Sequence, residues 1–315
     1  MKTRSRPVPA GSARPGGSLW RPHSDCGPAC LPDPARTPGV SAARQLGRLV
    51  ALVGALLFGG LLLPLLPVLS RAGRQVAGRA WARGVLRAAG IRLVVRGRPP
   101  LRRALLVANH VSWLDVVTVL AVTPARLLAK HEVRSWPLIG PLAALGGTVF
   151  IDRTRPRTLP GTVAEVAEVL RAGGVVAVFP EGTTWCGLPP AAGDCGWAVR
   201  FRPAMFQAAV DAAAPVVPVH LGYRVEFTDP TTGAVRAADT TAAAFLAEES
   251  LYTSVRRVLA LRGLVVTLTV VDQPGLDRPA DRRRLATAAE AAVRAAGAPA
   301  PVRGPAGGAA LELAA

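Results

Sequence analysis

Asn109, His110 and Asp115 lie in the string N-H-V-S-W-L-D, where an imidazole is followed five positions later by a carboxylate, directly after the apolar run Ala104 to Ala108. Such a pair can take a proton from an alcohol without an enzyme nucleophile, the carboxylate steadying the imidazole as it charges. The chain has only 4 histidines, so the pair narrows the chemistry to acyl transfer or something close. The same string also reads as a helix start. Ser112 then caps the helix, Asp115 closes its first turn, and Val116, Val117, Leu120 and Ala121 form the buried face. The two readings are compatible, because a first-turn aspartate is well placed to meet a histidine in the loop before it.

These residues need a scaffold, and beyond Gly90 the sequence alternates strands with helices. Ile91 to Val95, Ala104 to Ala108, Arg126 to Ala129, Thr148 to Ile151, Val175 to Phe179, Val216 to Leu221 and Leu264 to Val271 read as strands. Thr158 to Ala172, Phe201 to Ala213, Thr241 to Arg262 and Pro279 to Ala296 read as helices. The pattern predicts an α/β fold with a largely parallel central sheet flanked by helices. Pro215 and Pro218 imply an edge or a bulge in their strand.

On this map three polar motifs fall at the carboxyl ends of strands, where loops of an open α/β sheet meet in one crevice. His110 follows one strand, Asp152 and Arg153 a second, and Pro180, Glu181, Gly182 and Thr183 a third. Arg153 offers a permanently charged fork suited to phosphate, or else a surface pair with Asp152. Gly182 lets backbone N–H groups approach an anion, and Pro180 stiffens the turn. Glu181 is either a partner for a hydroxyl or arginine, or a turn residue making structural hydrogen bonds.

Composition sets the surroundings. Half of the 315 residues are hydrophobic and the net charge is +18, with lysine only at Lys2 and Lys130. Arginine is spread along the whole chain, and no helix-turn-helix, RNA-binding sheet or zinc-finger signature accompanies it, which favours anionic lipid over nucleic acid as partner. Leu49 to Ser70 is uncharged and close to the length of about 20 residues that crosses a bilayer. Gly59, Gly60, Pro64 and Pro67 interrupt it, so a bent helix or re-entrant hairpin is expected. Arg71, Arg74, Arg79, Arg83 and Arg87 then recur at helical spacings, as on an interfacial helix or on one packed against the domain.

The expected division is a disordered basic tail over 1–44, a membrane-associated helical segment over 45–90, the catalytic domain over 91–297 and a flexible tail over 298–315. No metal is expected. His23, Cys26 and Cys30 show no standard zinc spacing and lack a fourth ligand, and Cys186 and Cys195 read as thiols of a Gly/Pro-rich loop.

The blocks N-H-V-S-W-L-D, G-T-V-F-I-D-R, F-P-E-G-T and A-P-V-V-P-V-H, in that order from Asn109 to His220, resemble the glycerophospholipid acyltransferase family, whose best-known members are 1-acyl-sn-glycerol-3-phosphate acyltransferases. The resemblance implies that His110 and Asp115 are the catalytic pair and that Arg153, Glu181 and Gly182 bind the glycerol phosphate of the acceptor. It implies an acyl-CoA or acyl-carrier-protein donor as co-substrate, with no cofactor. It also implies a membrane-embedded N-terminal helical motif, and the expected location is the cell membrane, with the catalytic domain on the cytoplasmic face. One departure stands out: Thr184 follows F-P-E-G-T where the family often has arginine. Arg200 or Arg202 then becomes the candidate for the missing charge, and a lyso-ornithine lipid or another lysolipid stays open as acceptor.

Overall fold

The computed structural model describes residues 22, 24, 26–34, 37–137, 139–187, 200–229, 231–246, 249–272, 275–276 and 281–298. His23, Cys195 and the outer parts of both expected tails lie outside them. The fold is α/β around one 8-stranded sheet. Its strands are β1 (Arg92–Arg96), β2 (Ala104–Ala108), β3 (Ala125–Lys130), β4 (Val149–Ile151), β5 (Val175–Val178), β6 (Val216–Thr228), β7 (Val235–Asp239) and β8 (Leu264–Val270). Their order is β1-β8-β6-β2-β5-β3-β4, with β7 also on β6. Pairings among β2, β3, β4, β5 and the start of β6 are parallel, as is β1 with β8, whereas β6 runs antiparallel to β7 and β8.

The central strands explain the layering. β2 reads A-L-L-V-A and β5 V-V-A-V, every residue buried, so both sheet faces need a cover. One cover is α5 (Leu159–Arg171), α6 (Phe206–Asp211) and α8 (Arg282–Gly297), packed around Phe206, Leu170 and Leu285. The other includes α3 (Leu114–Val122) and α7 (Leu251–Ala260), together with two N-terminal helices. The short α4 (Ile139–Leu145) stands between β3 and β4.

Those N-terminal helices are α1 (Ala42–Leu62) and α2 (Arg71–Ala88), joined by a 3-10 turn over Leu63–Val68. The helix starts before the uncharged run, at Ala42 behind the cap Ser41, so Arg48 lies inside it. Residues Ala42–Leu66 are long and apolar enough to cross a membrane, with only 11% of their most apolar window buried. The break at the proline-containing turn gives a helical hairpin. Trp81 of α2 donates its indole N–H to the Ala55 carbonyl at 2.8 Å, and its ring occupies the space over Gly59. α2 is packed on the domain through Ala82, Val85 and Leu86, while Arg71, Arg74 and Arg87 stay exposed.

Several sequence expectations need correction. β6 is interior, not an edge: Pro218 stands at the very end of the β6–β8 ladder, where its carbonyl still accepts the Val271 N–H at 2.9 Å and only the bond its ring nitrogen cannot donate is missing. The helix expected over 241–262 begins only at Leu251, where Ser250 caps it through the Thr253 N–H. The preceding residues belong to the β6–β7 hairpin and its exit, built on a turn in which Asp229 accepts from Thr231 and Thr232. The expected disordered tail is ordered towards its end. Gly39 bridges to Leu261, Arg262 donates to the Pro38 carbonyl, and Ser24 and Cys26 are buried.

Candidate active site

Asp115 is the fixed point of the site. It is fully buried in the first turn of α3, and its Oδ2 accepts the N–H groups of Val111 and Ser112 at 2.6 and 2.7 Å. Its Oδ1 accepts the hydroxyl of Tyr223 from β6. The capping reading holds only for Asp115, since the N-cap position falls on Trp113 and not on Ser112, but the carboxylate both closes the turn and meets Nδ1 of His110 at 2.8 Å. With Nδ1 committed to that carboxylate, Nε2 is the nitrogen able to accept a proton. The imidazole stacks on Phe179 with centroids 4.1 Å apart, and 20% of its side chain is exposed.

The loop holding His110 is itself tied down. Asn109 exchanges two hydrogen bonds with the backbone of Leu221, at 2.9 and 2.8 Å, linking the end of β2 to β6. Glu181 accepts the His110 N–H at 2.6 Å, and the His110 carbonyl accepts the Trp185 N–H at 3.0 Å. Glu181 is thus a buried backbone anchor for the base. Burial pushes its carboxyl well up, against the pull of the His110 N–H.

Gly182 has φ +78°, a conformation that disfavours any side chain, and its carbonyl accepts from the Arg153 guanidinium. Arg153 has no bond to Asp152, which instead accepts from Thr154 and pairs with Arg155 at 3.5 Å. Arg202 lies beside Gly182, its backbone N–H bonded to the Pro180 carbonyl at 3.0 Å. Burial and the neighbouring Arg202 both lower the Arg153 pKa, and burial followed by Arg153 lowers that of Lys130 at the end of β3. Three cations held together against their own repulsion make a natural anion site.

The structure thus gathers His110, Asp115, Arg153, Glu181, Gly182 and Arg202 at one sheet edge, with Thr183 half-buried in the same turn. Arg200, the other candidate for the missing charge, is exposed. Thr184 is buried and donates its hydroxyl to the Phe245 carbonyl at 2.6 Å. Lys130 and Tyr223 are members that sequence reading missed. Lys130 had a signal, as one of only two lysines and at a strand end, whereas Tyr223 in the expected loop after a strand had none.

Comparison with known proteins identifies the family and the fold. Residues 92–222 match the Acyltransferase family model. The chain is 36% identical over 216 residues to a 1-acyl-sn-glycerol-3-phosphate acyltransferase of Neisseria meningitidis, covering 68% of this chain and 77% of that one. It is 33% identical over 227 residues to a lyso-ornithine lipid O-acyltransferase of Pseudomonas aeruginosa, covering 71% and 79%. The fold matches the crystal structure of the 1-acyl-sn-glycerophosphate acyltransferase from Thermotoga maritima with TM-score 0.56 at 20% identity, over 82% of this chain and 96% of that one. The chain belongs to the glycerophospholipid acyltransferase family and is an O-acyltransferase.

Proposed function

We propose that this enzyme transfers a fatty acyl group from a thioester donor, acyl-CoA or acyl-carrier protein, to the free hydroxyl of a lysophospholipid, with 1-acylglycerol-3-phosphate as the favoured acceptor. The observation that carries the reading is the placement of Nε2 of His110 on the same sheet edge as Lys130, Arg153 and Arg202. A phosphate bound by those cations presents its glycerol hydroxyl towards the base.

His110 removes the hydroxyl proton through Nε2 as that oxygen attacks the thioester carbonyl. Asp115 holds the Nδ1 proton and stabilises the imidazolium that forms. The tetrahedral intermediate collapses with cleavage of the C–S bond, and the imidazolium returns its proton to the departing thiolate. Acyl transfer is direct, the residues assigned to it need no cofactor, and no acyl-enzyme forms. Glu181 and Gly182 shape the loop that fixes the His110 backbone, and Arg153, Thr183 and Arg202 line the acceptor side. The apolar hairpin of α1 seats the enzyme in the cell membrane with its catalytic domain on the cytoplasmic face, where lipid acceptor and soluble donor meet.

A lyso-ornithine lipid is the second acceptor reading. It is favoured by the similarity to the Pseudomonas aeruginosa enzyme and by Thr184, which turns inward where an arginine was expected. Purified enzyme with labelled donor thioester and a panel of lysolipids separates the two. Preference for lysophosphatidate, abolished in His110→Ala, is the expected result. Transfer to lyso-ornithine lipid alone rejects the phosphate reading, and substantial transfer by His110→Ala rejects the base.

A further inference from the structure

Cys26, Cys30 and Cys186 come from two segments 156 or more positions apart in sequence, yet their sulfurs all lie within 4.8 Å of one another. Cys26 and Cys186 are buried, at 8% and 2% exposure. The Cys186 N–H points at the Cys26 sulfur at 3.2 Å. Cys30 closes the 3-10 turn Pro28–Cys30 that follows Cys26, its N–H bonded to the Gly27 carbonyl at 3.0 Å. A backbone N–H aimed at sulfur favours the thiolate, and a tight turn that brings two cysteines to one side is a common way of presenting a metal chelate.

We propose that these three cysteines form a structural zinc site in the reduced protein. Sequence reading set Cys26 and Cys30 aside for lack of a standard zinc pattern with His23 and of further ligands; taken alone, the spacing Cys26-x3-Cys30 falls within the range such turns use, and folding adds the third sulfur from Cys186. Zinc–sulfur bonds of about 2.3 Å in a tetrahedron place sulfurs about 3.8 Å apart, so sulfurs within 4.8 Å of one another close on an ion with shifts of about an ångström. Cys30 is disulfide-bonded in this structure, and reduction returns it to the thiolate form that binds metal.

The position gives the site its purpose. Cys186 directly follows Trp185, whose N–H holds the His110 carbonyl, and Pro22 lies against Gly182. A metal joining Cys26 and Cys30 to Cys186 fixes the N-terminal segment over the turn that frames the acceptor. Metal binding to a preformed fold adds its binding free energy to stability.

The test uses the full-length chain in detergent, produced with zinc in the medium and purified with a phosphine reductant. Mass-spectrometric metal analysis should find about one zinc per chain, with most of it lost in Cys26→Ser and in Cys186→Ser. Cobalt exchanged into the wild type should give thiolate-to-metal charge-transfer absorption, a readout that needs no variant to fold. A strong chelator should lower the melting temperature of the wild type. Reduced wild-type protein that holds no zinc and gives no cobalt–thiolate band overturns the proposal, as does zinc retained in full by both variants.

Discussion

Tyr223 donates its phenolic hydrogen to Oδ1 of Asp115 from a strand 108 residues further along the chain. Both groups are buried, and burial together with the adjacent carboxylate raises the tyrosine pKa well above its usual value. The hydroxyl therefore stays a donor at any working pH. Asp115 is left with two backbone N–H groups, a phenol and an imidazole around one carboxylate, which compensates a charge held away from water.

Tyr223→Phe removes one donor to that charge together with the phenol's bond to Ser112. A hydrogen bond to a charged group contributes about 1.5–3 kcal/mol, so the variant should melt lower, and kcat should fall roughly tenfold with little change in acceptor KM. Thermal melts and steady-state kinetics check it; unchanged kcat would show that the phenol only packs.

His110→Ala should reduce kcat by about 10²–10⁴-fold, the range expected for loss of a positioned general base. His110 is partly exposed and its backbone is held independently by Glu181 and Trp185, so the melting temperature should change little. Stopped-flow measurement on the wild type should show no burst of thiol release beyond one steady rate, since no acyl-enzyme accumulates.

Arg153→Ala and Arg202→Ala should each raise KM for a phosphate-bearing acceptor by roughly 10-fold or more, with a smaller effect on kcat, as the loss of charge-assisted bonds predicts. Arg153→Lys should restore less than a simple charge count suggests, because the guanidinium also holds the Gly182 carbonyl. Equal losses with a phosphate-free acceptor would show that these arginines only support the loop.

Glu181→Gln tests the buried carboxyl by pH. Its folded pKa is raised by burial, so its favourable contribution is present below the unfolded carboxylate value and lost as pH rises through the folded one. The glutamine keeps an acceptor for the His110 N–H without a charge. Stability of Glu181→Gln relative to wild type should therefore increase with pH above the ordinary carboxylate range and flatten at acid pH. Melting curves across pH check the sign, and the opposite slope would show that the ionised carboxylate is the stabilised form.

Gly59→Leu should open the helical hairpin. Even a Cβ there would lie 2.4 Å from Nε1 of Trp81, so the indole must leave and lose its bond to Ala55. Overpacking of this kind costs about 1–3 kcal/mol, and the change is readable as a shift in tryptophan emission and a lower melting temperature. Gly60→Leu, with open space at its Cβ position, is the matched control.

The residues themselves determined much of this. Fully apolar β2 and β5 require a sheet covered on both faces, and that arrangement sends His110, Arg153 and Glu181 to one edge because each follows a strand of the same direction. Local chemistry sufficed where the partners are close in sequence, as with His110, Asp115 and the turn between them.

Tertiary structure decided what depends on distant partners. It brought Tyr223 to Asp115, set Arg202 beside Gly182, turned Thr184 towards Phe245, and gathered three cysteines from two segments far apart in sequence. It also made Pro218 an interior residue, at the end of the β6–β8 ladder where only its carbonyl is bonded, by Val271. Spacing in sequence reports only neighbours within a turn or a strand, whereas these contacts are set by sheet order and by the packing of loops at its edge.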